Sequence, residues 1–211
     1  MERFDRDEPP ADAFVVEREP HLGDCDRMGA LRLDAVAGFL QDAAGDDARR
    51  RAAPASPVAW LVRRMDLEVR SRPRAHETLR ITTWPRGVGP AWVERRSRIA
   101  DASGAVVVEA STVWAAVDPE SRAPVRIDPA GVGMAPDAPR VPARLRIPAP
   151  PEVAARPWPP RTTDFDAFGH VNNAVYWSPV EACLEEWAGP GALGTAVVEF
   201  RDGIAWGEAA D

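Results

Sequence analysis

The chain has 211 residues, enough for one large or two small domains, and 45% of them are hydrophobic, enough for a buried core. A formal net charge of −7 argues against nucleic acid as a main partner, and no apolar run reaches the roughly 18 residues of a membrane span. The N-terminus is acidic and polar, unlike a secretory signal, so we expect a cytoplasmic protein.

The first part of the chain predicts one strand, one long helix and then four strands. The first strand covers residues 12–21. The helix covers 34–49, where an apolar stripe that includes Phe39 recurs at spacings of three and four and Asp34 is the expected N-cap. This order predicts an α+β fold in which an antiparallel sheet wraps round a central helix, the hotdog arrangement. The four later strands are predicted over 58–72, 77–86, 91–101 and 104–117.

Twelve of the 22 prolines lie between residues 119 and 160, and such a density favours extended chain over a packed element. We therefore predict a first unit, a proline-rich linker and a second unit. The second unit begins with a strand-like segment, 161–166, and continues with a helix from Ser178 to about Trp187 that opens on a capping box. A strand over 196–201 follows. The three predicted domains span 1–130, 131–158 and 159–211.

An internal repeat supports this division. Segments 24–29 and 164–169 both read D-x-D-x-x-G before a helix, and 67–70 matches 198–201 in the same register. The first unit continues for three more strands, whereas the second has no room for them. We therefore predict a second hotdog that is incomplete at its C-terminus, through truncation or through completion by another subunit. Open strand edges favour association, with a homodimer as one expected form.

Residues 164–176, DFDAFGHVNNAVY, are the richest in groups that can do chemistry. This segment resembles the active-site segment of hotdog thioesterases, and the tandem arrangement resembles the acyl-ACP thioesterase family. The first-unit segments GDCDRMGALRL, VAWLVRRMDLEV and ETLRITTWPRGV also resemble that family. The resemblance implies tandem hotdog folds and a thioesterase that releases a fatty or related acid from an acyl carrier protein or coenzyme A. This chemistry requires no metal or organic cofactor. The two cysteines fit no metal spacing, and three histidines alone are too few ligands for a structural zinc site.

Three residues of this segment are predicted to be catalytic. Asp166 would attack the thioester carbonyl or act as general base. His170 would orient the water or protonate the leaving thiolate, and Asn172 would hold the water or simply cap the turn. The substrate-binding candidates are Gly169, Val171, Asn173 and Asp26.

The first unit carries Ala30 where the second carries His170, so we interpret the first unit mainly as acyl-chain pocket and scaffold. Plant members of the family have an asparagine two residues after the aspartate and a glutamate on the strand after the helix. Here Phe168 and, nearby, Gly203 stand at those places, with Glu199 or Asp202 as candidate substitutes. The candidate pocket residues are Phe39, Leu40, Trp60, Met65, Leu67 and Trp84.

Two other functions fit the same residues. A non-catalytic module that binds acyl thioesters is favoured by Phe168, Gly203 and the short second unit. An enoyl-thioester hydratase would also use a carboxylate and a histidine. The arginines of 49–51 and 63–74 either form a docking surface for an acidic carrier protein or are ordinary solvated charges.

Overall fold

One antiparallel sheet of six strands, in the order β1-β3-β4-β5-β2-β6, forms the main layer of the computed structural model. The structure describes residues 4, 8–51, 58–143, 145, 147–148, 157–189, 191 and 194–207. The strands are β1 Phe14–Arg18, β2 Ala59–Val69, β3 Leu79–Val88, β4 Trp92–Ala100, β5 Val106–Val117 and β6 Gly194–Glu199, and the helices are α1 Leu33–Arg51 and α2 Trp177–Ala188. The predicted α+β architecture is confirmed.

Helix α1 packs its apolar stripe on one face of the sheet. Val36, Ala37, Leu40 and Ala43 are buried there in one core cluster with strand residues of β2, β3, β4 and β5. The helix begins one residue before the predicted start, so Asp34 is not its N-cap. The Asp34 carboxylate lies in the first turn and accepts hydrogen bonds from Arg32 and from the Ser178 hydroxyl.

The predicted strand over 161–166 is wrong. Residues Thr162–Asp164 form a single 3-10 turn, and Phe165 only makes an isolated bridge to Val171. The reason is local, because the Asp164 carboxylate accepts the backbone N–H of Arg161 at 2.7 Å and folds the chain back on itself.

The predicted capping box at the start of α2 is also wrong. The helix begins at Trp177, one residue before Ser178, so the Ser178 hydroxyl is free to bind Asp34 of the other helix. Glu181, the expected partner in the box, likewise points to α1 rather than to its own helix start. Contacts between the two helices have replaced the local cap.

The second unit joins the sheet of the first. Strand β6 pairs antiparallel with β2 over six residue pairs, from Arg64 opposite Glu199 to Val69 opposite Gly194. Val198 and Phe200 then pack against the core under α1. Within the described residues, the second unit therefore contributes one helix and one strand.

The described start of the linker lies against the β3–β4 hairpin. Ala138 packs with Val88 and Val93, and the Val88 N–H donates to the Pro139 carbonyl at 2.9 Å. Gly87 permits this approach, because a Cβ at that position would lie 2.6 Å from the Pro139 oxygen.

A single carboxylate, that of Glu181, joins the two units at the start of α1. Its Oε2 accepts the backbone N–H of Leu33 at 2.8 Å, and its Oε1 pairs with Arg72, which also reaches Asp26. Glu181 is only 9% exposed. The first helix therefore has one of its orphan N–H donors satisfied by a side chain of the second.

We expect Glu181→Ala to lower the free energy of unfolding by about 3 kcal/mol, because it leaves the buried Leu33 N–H without its acceptor and leaves the buried Arg72 paired with Asp26 alone. Urea unfolding followed by circular dichroism measures the change. Glu185→Ala, which removes the same charge one turn later on α2, is the matched control and should change stability by about 0.5 kcal/mol or less. Equal effects of the two variants would contradict this account.

Candidate active site

A closed turn over residues 164–171 presents Asp166. The Asp166 N–H donates to the His170 carbonyl at 2.8 Å, and the Gly169 N–H donates back to the Asp166 carbonyl at 3.0 Å. Gly169 has φ +75°, a left-handed conformation that favours glycine. The Phe168 N–H donates to Asp166 Oδ1 at 2.9 Å. Oδ1 therefore orders the turn, while Oδ2 accepts no hydrogen bond from any residue that the structure describes.

His170 lies on the same turn but is not hydrogen-bonded to Asp166. Its Nδ1 is 3.1 Å from the Phe168 carbonyl oxygen. Gly203 lies against the imidazole, since a Cβ at that position would be 3.2 Å from His170 Cδ2. No side-chain hydrogen bond joins Asp166 and His170 in the described part of the chain, so each is held separately through the Phe168 backbone.

The segment after β6 supports this turn from behind. The Val171 N–H donates to the Ile204 carbonyl and the Trp206 N–H to the Gly169 carbonyl, both at 2.9 Å. The rings of Phe165 and Trp206 meet edge to face at 4.9 Å. Val171 is 3% exposed, so its side chain packs inside, and its assignment to substrate binding stays a prediction.

The two asparagines take different positions. Asn172 Oδ1 accepts the Ala174 N–H at 2.9 Å, as a cap does, and the Gln41 side chain reaches the same oxygen at 3.5 Å. Asn173 lines a small apolar recess between α1 and β2 together with Gln41 and Phe200. The backbone N–H of Asn173 donates to no acceptor among the described residues.

The first unit builds the same turn with a different outcome. Asp26 Oδ1 accepts the N–H groups of Met28 and Ala30 at 2.8 and 2.9 Å, and Oδ2 lies 3.4 Å from the Arg72 guanidinium. Burial raises the pKa of Asp26, but the two N–H donors and the charge of Arg72 outweigh it and hold the pKa below its ordinary value. Both carboxylate oxygens of Asp26 are therefore engaged.

The repeat shows why the two turns differ. The Leu31 N–H donates to the Pro73 carbonyl just as the Val171 N–H donates to the Ile204 carbonyl, so residues 73 and 204 correspond. Arg72 therefore corresponds to Gly203, while Ala30 corresponds to His170. The second unit therefore lacks the arginine that pairs with the aspartate and carries a histidine on the same turn. The sequence analysis did not assign Arg72 as the partner of Asp26. The alignment of the two repeats already contains the exchange of Arg72 for Gly203 and could have indicated it.

The other predicted groups lie elsewhere. Glu199 accepts the Ile147 N–H at 3.1 Å and pairs with Arg64 at 3.6 Å, and it alternates with the core-facing Val198, so it is on the sheet face away from the helices. Asp202 is exposed. The structure therefore brings no substitute carboxylate from β6 to Asp166.

Most of the arginines proposed as a docking surface form ion pairs with acidic side chains of the same chain. Arg51 pairs with Asp47 at 2.7 Å and Arg64 with Asp66 at 2.9 Å. Arg70 pairs with Glu68 at 3.0 Å. These contacts favour the structural interpretation of the cluster over a free basic surface.

The predicted pocket residues mostly fill the core. Leu40, Met65, Leu67 and Trp84 are between 1% and 5% exposed, whereas Trp60 is at the surface.

None of the described helices is long and apolar enough to cross a bilayer.

Comparison with known proteins matches both parts of this chain to models of the same protein family. Residues 13–132 match the model of the acyl-ACP thioesterase N-terminal domain, and residues 149–189 match that of the C-terminal domain. Two uncharacterized proteins of Mycobacterium tuberculosis, from strains H37Rv and CDC 1551, are each 28% identical over 208 residues. The matches cover 95% of this chain and 82% of each relative.

Solved structures share the fold. A Lactobacillus plantarum protein assigned as an oleoyl thioesterase gives a TM-score of 0.76 at 22% identity and covers 93% of this chain and 82% of its own. An acyl-ACP thioesterase from Bacteroides thetaiotaomicron also gives 0.76, at 18% identity, with 92% and 83% covered. The predicted tandem hotdog fold with a short second unit is confirmed.

Asp164 stabilises the site turn in a way that depends on pH. Burial raises its pKa, but the hydrogen bonds from the side chain and N–H of Arg161 outweigh this and lower it. A carboxylate with a lowered folded-state pKa stabilises the fold above its unfolded pKa of about 4, and this contribution is lost as pH falls through the folded value. We expect Asp164→Asn to be less stable than wild type at pH 7, with the difference shrinking towards about pH 3. Urea unfolding at both pH values measures it, and a constant difference would contradict the role.

Proposed function

The chain belongs to the acyl-ACP thioesterase family, and from that premise we propose that it hydrolyses acyl-ACP or acyl-CoA to a free fatty or related carboxylic acid and a thiol. The observation that carries this proposal is Asp166 Oδ2, which accepts no hydrogen bond within the described residues and lies on a glycine turn that also carries His170. The matching oxygen of Asp26 is already bound by Arg72. The second unit is therefore the better place for the chemistry.

The proposed reaction begins with a water molecule at Asp166. Oδ2 takes a proton from the water while the water oxygen bonds to the thioester carbonyl carbon. The tetrahedral intermediate then collapses, the C–S bond breaks, and His170 in its protonated form gives a proton to the leaving thiolate. Transfer of a proton from Asp166 to His170 through water restores both groups. A thioester and water are consumed, and an acid and a thiol are formed. Phe168 holds both groups through its backbone, while its side chain is exposed.

The oxyanion of the intermediate needs a donor, and the repeat suggests one. In the first unit the Leu33 N–H binds a carboxylate oxygen of Glu181 at 2.8 Å, which is an anion at a helix start. In the second unit, the residue that corresponds to Leu33 is Asn173. The residue of the first unit that corresponds to Glu181 is Gln41. The Gln41 side chain reaches Asn172 Oδ1 at 3.5 Å, and the Asn173 N–H donates to no acceptor among the described residues, so this N–H is open to a substrate oxygen.

The first test is Asp166→Asn with a panel of acyl-ACP and acyl-CoA substrates, with thiol release followed over time. We expect kcat to fall by about 100-fold or more, because the general base is lost, with the melting temperature unchanged. Asp42→Asn, which removes an exposed carboxylate from α1, is the control and should behave as wild type. A folded wild type that releases no thiol but binds the substrates would favour the binding module, and a hydroxyacyl thioester product would favour the hydratase.

Gln41→Glu tests the proposed oxyanion donor. The new carboxylate should bind the Asn173 N–H as Glu181 binds that of Leu33, and kcat should fall by about 100-fold, the usual effect of losing one such donor. Gln41→Ala removes the amide without adding a charge, so we expect it to lower kcat by less than about threefold. Thiol release measures both variants, and equal loss in the two would exclude the specific blocking of Asn173.

A further inference from the structure

Two of the three histidines lie together on the first unit, away from the candidate active site. His21 follows β1 and His76 lies in the connection between β2 and β3, and their ring centroids are 5.9 Å apart. His76 Nδ1 is 3.0 Å from Glu19 Oε1. One ligand atom from each of these three residues lies within 4.8 Å of the other two.

The backbone holds this cluster in place. The His76 N–H donates to the Pro20 carbonyl at 2.8 Å, which fixes residue 76 between Glu19 and His21 in space. The His21 N–H is bound in turn by the Asp24 carboxylate at 2.9 Å. His76 has φ +68°, a backbone conformation that costs a residue other than glycine about 1 kcal/mol or more. The side chains of the cluster are thus held by two separate segments whose geometry does not depend on a metal.

We propose that Glu19, His21 and His76 form a surface site for a borderline divalent cation, with Zn²⁺ as the best match. Two imidazole nitrogens and one carboxylate oxygen are ligands that zinc prefers, whereas Ca²⁺ and Mg²⁺ prefer sites made only of oxygen. Ligand atoms round a tetrahedral zinc ion lie about 3.3 Å apart, given bonds of about 2.0 Å. Because all three side chains are exposed, small rotations can close the present spacing. The fourth position would be taken by water.

This site differs from the structural zinc centre that the composition excludes. A structural centre takes four protein ligands, mostly cysteine and histidine, whereas an open site needs three. The second unit does not repeat the cluster, because Arg161 and Gly207 stand at the places of His21 and His76. The site is therefore a property of the first unit and is separate from the proposed hydrolysis.

The test is isothermal titration of the full chain with ZnCl₂ in a buffer that does not bind metal, together with a thermal melt. We expect one ion per chain and a melting temperature that rises with zinc concentration. His76→Gly is the decisive variant, because glycine accepts φ +68° and the fold should be kept while one ligand is lost. Its dissociation constant for zinc should be larger than that of wild type by about 10-fold or more. Even the loss of a residue that hydrogen-bonds to a metal ligand weakens metal binding by that much.

His170→Ala is the matched control, because it removes the remaining histidine and should leave zinc binding unchanged. Glu19→Gln keeps the shape but weakens the oxygen ligand, so its affinity should also fall. Absence of zinc binding by wild type, or equal binding by wild type and His76→Gly, would overturn the proposal. Loss of binding in His170→Ala alone would move the site to the second unit and overturn it as well.

Discussion

The buried carboxylate of Glu181 is the contact on which the arrangement of the two units depends. It satisfies the backbone at the start of α1 and pairs with Arg72, which in turn reaches Asp26. A buried charge is tolerated only when its partners are complete, so these groups fix one another's positions. The start of the first helix, the turn before it and the second helix are thereby set in a single network. The recess that Gln41 and Asn173 line lies where α1 and β2 meet the second unit.

The same network explains how a repeated turn can serve two purposes. In the first unit the D-x-D-x-x-G turn is saturated by Arg72 and by two N–H donors. In the second, Gly203 replaces the arginine, which leaves space for the His170 ring and an acceptor oxygen on Asp166. One copy of the repeated turn is thus fully hydrogen-bonded and the other carries the proposed chemistry, and the exchanges of Arg72 for Gly203 and of Ala30 for His170 distinguish them.

Much of this could be predicted from the sequence, for identifiable reasons. Helix α1 and strands β2 to β5 carry strong apolar periodicity and β-branched content, so local preference and packing agree. The turn of Asp166 and His170 was predictable because the two bonds that close it, from Asp166 to His170 and from Gly169 to Asp166, join residues within four positions of one another. The start of α2 was not, since Ser178 and Glu181 are drawn to partners more than 140 residues away. The packing of Gly203 on His170 and the pairing of Arg72 with Glu181 likewise depend on distant segments, which propensities do not describe.

The pairing of β6 with β2 couples the stability of the two units. Six residue pairs of backbone ladder cross from one repeat to the other, and Phe200 and Trp177 enter the core beneath α1. Neither repeat can lose its structure without exposing hydrogen-bond donors and apolar surface of its neighbour. The boundary that the repeat marks in the sequence is therefore not a boundary of cooperativity, and the two units should melt together in one transition.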